Sequence, residues 1–197
     1  MMPNKEGYAM KVSRERVAQN REMLLSEASR LFRERGFESV TVAEVSAAAG
    51  LTHGAFYSYF ASKEDLIAQT CNYVLNDEDG QEHASLFAFA KEYLSNDHRE
   101  NRGGGCLFAA VGTETARTSE ATRDIITEKV REQIATFAKS APGAGPRTRR
   151  RAAIGMWAAM MGAVMIARTV NDEALAKEIT SSTMKWLEEA ADLRPLE

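Results

Sequence analysis

Cysteine is scarce: two residues in 197, Cys71 and Cys106. They lie far apart and fit a reducing cytoplasm better than a disulfide scaffold. Proline is also rare, with four residues, and no segment alternates apolar and polar positions over the length of a strand. Both features favour helices. Positive charge is not in excess. The net charge is −3 and the pI about 5.8, so any surface for nucleic acid must be local. The opening MMPNKEGYAMKV lacks the apolar centre of a secretion signal. No apolar run reaches the roughly 20 residues of a membrane span. The longest, Ala152 to Ala167, is closed by Arg149, Arg150, Arg151 and Arg168 and reads as a buried helix. No membrane partner is expected. Motifs for a nucleophile elbow, a phosphate loop or a dinucleotide site are missing. His53, His83 and His98 are scattered without zinc-like partners. No metal, cofactor or enzymatic activity is therefore expected.

What is present is a globular composition, 44% hydrophobic and 27% charged, carried by helical periodicity. Val17, Leu24, Ala28, Leu31 and Phe32 recur at helical spacing, and Gly36 supplies a stop. Thr41 stands three residues before Glu44, a capping box that opens a short helix with Val42, Val45, Ala48 and Ala49 facing inward and Gly50 at its end. A third helix is expected from about Thr52 to Tyr59. Ser62 and Asp65 then launch a longer one through Leu66, Ile67, Cys71, Val74 and Leu75. The stretch NDEDGQE after Leu75 reads as a turn, and NDHRENRGGG as a loop, because three consecutive glycines do not sit inside an element. Between and beyond these breaks, helices are expected around Leu86–Leu94, after Cys106, through Ile126, Val130, Ile134 and Phe137, and over about Arg149–Thr169 and Asp172–Ala191. The fold class is all-α, with a boundary placed between residues 1–64 and 65–197.

The run LTHGAFYSYFASKE, Leu51 to Glu64, is aromatic and hydroxyl-rich where a core would use Leu, Ile and Val. On a helical wheel Phe56 and Phe60 share one face and read as anchors. Gly54 and Ser58 lie opposite, flanked by Tyr57 and Tyr59. A narrow helix with small outward residues suits the DNA major groove, about 12 Å wide. Lys63 and the start of the next helix offer a site for a phosphate. The preceding helix, the Gly50 turn and this helix make a helix-turn-helix. The arm before it carries Lys5, Lys11, Arg14, Arg16 and Arg21 against few acids, a local basic segment that can follow phosphates or enter a minor groove.

The contiguous stretch LLSEASRLFRERGFESVTVAEVSAAAGLTHGAFYSYFASKEDLI resembles the DNA-binding domain of TetR-family transcriptional regulators. The resemblance lies in the LF-x-x-x-GF helix end, the T-V-x-E-V helix, the A-G-L turn and the F-Y-x-Y-F-x-S-K-E run. It implies that Thr41, Thr52, Tyr57 and Lys63 face phosphates and that His53, Gly54, Ala55 and Ser58 face bases. It also implies a homodimer that binds a double-stranded palindromic operator, and a C-terminal helical domain for a small effector. Repression is the family's usual mode. No Arg, Asn or Gln stands in the base-facing set for a bidentate pair, so sequence choice is expected to lean on thymine methyls near Gly54 and Ala55 and on DNA shape.

Beyond residue 64 the motifs are weaker. Phe87, Phe89, Tyr93, Phe108, Phe137, Met156, Trp157 and Met160 read as core, yet a pocket for an apolar effector would use the same residues. Cys106 follows three glycines at a helix start, where a thiol is activated. That position resembles members of the family that sense oxidants or electrophiles, and packing is the alternative. Gly155, Ala159 and Gly162 on the penultimate helix, with Ile179, Thr183 and Trp186 on the last, suit a four-helix interface with a second copy. A different class of function, a helical ligand-binding or interaction module without DNA activity, is opposed by the Tyr57–Lys63 pattern and the basic arm.

Overall fold

The computed structural model describes residues 14–79 and 85–192. Lys5 and Lys11 of the basic arm, and His83, lie outside the described residues. Helix α1, Arg14–Arg35, carries Leu24, Leu25, Ala28, Leu31 and Phe32 on its buried stripe. It stops at Gly36, whose φ of +84° suits glycine and whose N–H donates to Phe32 O at 2.8 Å. Thr41 caps α2, Val42–Ala48, with the expected reciprocal box: Glu44 N donates to Thr41 Oγ1, and the Thr41 N–H donates to the Glu44 carboxylate. Val45 and Ala49 are buried, but Ala48 is exposed; Ser46 takes the inward position, its hydroxyl donating to Val42 O. Gly50 (φ +69°) turns the chain into α3.

Helix α3 is shorter than expected, His53–Phe56, with Thr52 as its cap. The following residues wind in i→i+3 turns: Ser58 N donates to Ala55 O and Tyr59 N to Phe56 O. This tightening still stacks Phe60 near Phe56, ring centroids 5.4 Å apart, with both side chains buried. Helix α4, Lys63–Asp79, begins as expected at Ser62, which caps Asp65 N. It runs through Asn76–Asp79, where a turn was expected, because Asn, Asp and Glu can take helical dihedrals and continue the backbone hydrogen bonding.

Helices α5 (Leu86–Tyr93), α6 (Asn96–Glu100), α7 (Leu107–Thr115), α8 (Glu120–Ser140), α9 (Pro146–Thr169) and α10 (Glu173–Asp192) complete the chain. Among the described residues there is no strand. Helix α6 replaces the first half of the expected loop: Ser95 caps His98 N, and five residues are too few to show a period. Helix α9 starts at Pro146, earlier than Arg149, since proline is well suited to a first helical position. It is long and apolar enough to cross a membrane. Ala153, Met156, Trp157, Met160, Ala163, Val164 and Ala167 nevertheless make a buried stripe, and arginines stand at both ends, Arg147, Arg149, Arg150 and Arg151 at the start and Arg168 at the close.

Two apolar cores result. One joins α1–α4 to Leu107 and Val111 of α7; the other joins α5, α8, α9 and α10. Phe108 of α7 packs against both.

Candidate nucleic-acid interface and cavity

The buried pair Phe56 and Phe60 fixes which side of the α3 segment looks outward. His53, Gly54, Tyr57 and Ser58 are exposed and Ala55 is half-buried. Tyr57 is 57% exposed, with His53 edge-on to its ring at 5.5 Å. A Cβ on Gly54 would meet nothing within 4 Å, so this face is open. Thr52 accepts from Ala55 N with its hydroxyl at 3.3 Å. Thr41 is exposed, but its hydroxyl both accepts from Glu44 N and donates to the Glu44 carboxylate. These Thr41 bonds, with Arg35 beside the carboxylate, hold Glu44 down to about 2. Lys63 reaches back with Nζ to Glu38 O at 3.3 Å, bracing the turn before α2.

Two members of the expected set sit differently. The Tyr59 hydroxyl accepts from Asn20 Nδ2 at 2.8 Å, and its ring packs on the first core, so it clamps α1 rather than flanking the outer face. Arg21 is exposed, bonded to Gln69 Oε1 and placed over the Phe60 ring at 5.7 Å. Arg14, at the start of α1, is exposed.

The second site is a cavity of about 1200 Å³ between α5, α6, α8 and the start of α7. Aromatic rings follow one another along its wall. Phe89 lies 5.2 Å from Tyr93 and 4.7 Å from Phe137, and Trp157 meets Phe108 at 5.6 Å and Phe137 at 6.0 Å. Tyr93 also faces His98 at 4.4 Å. Lys129, Glu132 and Gln133 add polar groups from α8. At the cavity's polar end, Cys106 is the N-cap of α7 and 8% exposed. Its backbone N–H donates to His98 Nε2 at 3.2 Å, and His98 Nδ1 donates to Tyr93 O at 2.6 Å. Burial pushes the His98 imidazole below its ordinary range; the Tyr93 carbonyl opposes this and Arg168 adds to it. Cys71, deep in the first core, is pushed up to about 12 by burial and by Glu64, as an inert packing thiol would be.

Residues 24–70 match the family model described as bacterial regulatory proteins, tetR family, and residues 83–183, just over half of the chain, match the tetracyclin repressor-like C-terminal domain. The chain belongs to the TetR family. Its family and its homologues are helix-turn-helix DNA-binding transcriptional regulators, not enzymes. An uncharacterized HTH-type regulator of Bacillus subtilis, YerO, is 35% identical over 57 residues, 29% of this chain and 20% of that protein. The regulator AcrR of Shigella flexneri is likewise 35% identical over 57 residues, 29% of this chain and 26% of its own length. The matched stretch thus spans about a fifth to a quarter of these relatives. Over most of the chain the likeness is one of fold. E. coli NemR in its reduced form superposes with a TM-score of 0.71 at 20% identity, covering 86% of this chain and 95% of that one. A regulator from Chloroflexus aurantiacus gives 0.70 at 22% identity, covering 89% and 97%.

Within this TetR-family fold, six of the expected residues line the cavity: Phe89, Tyr93, Cys106, Phe108, Phe137 and Trp157. Met156 and Met160 are buried in the second core and Phe87 packs against it, none of them at the cavity wall. His98 joins the wall as well, although nothing in the sequence marked it. On the opposite side of α9, Ala159, Gly162, Ile179, Thr183 and Trp186 line a shallow apolar trough between α9 and α10, and Gly155 is exposed one turn earlier.

Proposed function

We propose that this protein works as a cytoplasmic homodimeric repressor. Residues 1–64 grip a palindromic operator, and residues 65–197 hold an apolar effector and the partner copy. The observation that carries the reading is the outward face of the α3 segment. Small or polar residues and the exposed Tyr57 stand on a base of two buried phenylalanines. Tyr57 and Lys63 contact phosphates, Thr52, His53 and Ser58 approach base edges, and Gly54 and Ala55 admit thymine methyls. The two copies meet through the trough of Ala159, Gly162, Ile179, Thr183 and Trp186, which spaces the paired faces for successive major grooves. An effector in the aromatic cavity releases DNA only to the extent that it binds the released conformation more tightly.

The test is binding to a palindromic duplex selected by the protein from a random pool, at two salt concentrations. Wild type binds tightly with a steep salt slope. Tyr57→Ala weakens binding about tenfold, the worth of one charge-assisted hydrogen bond, at nearly unchanged stability. Wild-type protein that selects no duplex at any salt refutes the reading.

A second trigger is favoured by the surroundings of Cys106. It caps α7 at the cavity wall beside His98 and close enough to Arg168 to influence that guanidinium. Oxidation or alkylation of its thiol would then replace reversible effector binding. A Cys106→Ser variant that still releases DNA fully on treatment with peroxide excludes this trigger.

A further inference from the structure

Helix α7 belongs to both halves of the molecule. Leu107 and Val111 lie in the first core, Cys106 in the second, and Phe108 touches both cores while lining the cavity. One end is tied to α1 and the other to the turn that follows α1. Before α7, the Gly105 carbonyl accepts from Arg33 Nη1 at 2.9 Å. In its last turn, the Glu114 carboxylate accepts the backbone N–H of Phe37 through Oε2 at 2.7 Å.

That carboxylate stands where simple electrostatics would not put one. The C-terminal ends of α7 and α1 meet there, and each carries partial negative charge that favours a cation. Gly36 makes the approach possible. A Cβ at this position would lie 2.5 Å from Glu114 Oε1, and its φ of +84° already selects glycine. The residue gripped is no loose end. Phe37 is buried, edge-on to Phe32 at 5.2 Å, and leads through Val40 to Thr41, the cap of α2. Helix α2 in turn packs on α3.

We propose that Glu114 is the positioning residue that couples occupancy of the cavity to the helix-turn-helix, a step that rests on the regulator reading above. A ligand that displaces Phe108 has to move α7 as a body, because close-packed cores shift between discrete arrangements and do not deform smoothly. The Glu114–Phe37 bond carries that movement to the start of α2, and so to the face presented to DNA.

The experiment uses full-length protein, the selected palindromic duplex and the dye 1-anilinonaphthalene-8-sulfonate as the cavity probe. Operator affinity is measured with and without saturating dye, and thermal melting confirms that each variant is folded. In wild type the dye shifts operator affinity about fivefold or more, the usual lower range of a coupling between sites. Glu114→Gln, which keeps an acceptor for the Phe37 N–H, retains that shift. Glu114→Ala and Glu114→Met bind dye and DNA separately but lose the shift, and Glu114→Met covers the case in which the alanine variant does not fold. A shift equal to wild type in a folded Glu114→Met protein overturns the proposal. So does wild-type protein that binds operator indifferently to bound or absent dye, an outcome that leaves the regulator reading standing. Wild-type protein that binds no duplex removes both.

Discussion

His98 shows how much one side chain can be asked to do. Its Nδ1 donates to the Tyr93 carbonyl while Nε2 accepts from Cys106 N–H, a pair of roles open only to the neutral Nδ1–H imidazole. A second proton would face the Cys106 N–H and the Arg168 guanidinium, whose Nη2 donates to His98 O at 2.9 Å. Glu92 and the Tyr93 carbonyl favour that proton, but burial outweighs them and the folded pKa falls below the ordinary 6.5. Unfolded chain therefore binds the proton more readily than folded chain. The contribution to stability is complete above pH 6.5 and is lost as the pH falls through the depressed folded value. Melting temperature followed from pH 7.5 to 5 should drop for wild type and drop less for His98→Gln. Nothing in the sequence around His98 marks it, because its partners arrive from elsewhere: Cys106 across the glycine turn and Arg168 from α9. The glycines themselves were legible as a loop, yet only the structure gives Gly105 its reason. A Cβ there would sit 2.8 Å from Arg168 Nη2 and 2.9 Å from Asn101 O.

At the scale of elements, caps are what the sequence announces best. The Thr41–Glu44 box is formed by neighbours three residues apart, so its chemistry is local and readable. Thr41→Ala should cost about 1 kcal/mol in urea unfolding at neutral pH. The ionised Glu44 is the form the box and Arg35 hold, so its support is present above the ordinary 4.5 and fades as the pH falls towards about 2. The difference between wild type and Thr41→Ala should accordingly shrink at pH 2. The length of α3 was less legible, since both a full helix and a helix ending in tight turns place Phe56 and Phe60 on one side. Tyr59 turned inward through that difference, and its hydroxyl found Asn20 on α1, a partner 39 residues away. Helix α6 escaped notice because its cap, Ser95, was hidden in a polar run that reads equally well as a loop. The cavity was legible only as a set of aromatic residues. Which of them face the space and which pack behind it depends on the crossing of α5, α7, α8 and α9, information that no single helix contains.

At the scale of the whole molecule, α9 and α10 present an apolar surface that the single chain leaves open. Ile154, Ile166 and Leu175 are 43%, 54% and 41% exposed, and Trp186 is 52% exposed. Small residues at Ala159 and Gly162 let a facing helix come close. Ala159→Arg should yield a folded monomer in sedimentation equilibrium, and affinity for the full palindrome should fall about a hundredfold or more as the two half-sites cease to be bound together. A variant that stays dimeric and binds normally would place the interface elsewhere.

The chain's two tryptophans occupy these two surfaces separately: Trp157 is 7% exposed in the aromatic wall, and Trp186 lies on the open trough. Their ultraviolet emission should therefore separate into a short-wavelength and a long-wavelength component. Quenching of the first would report what enters the molecule, and a blue shift of the second would report what settles against it. The protein carries an optical label for each of its two proposed encounters, with no dye attached.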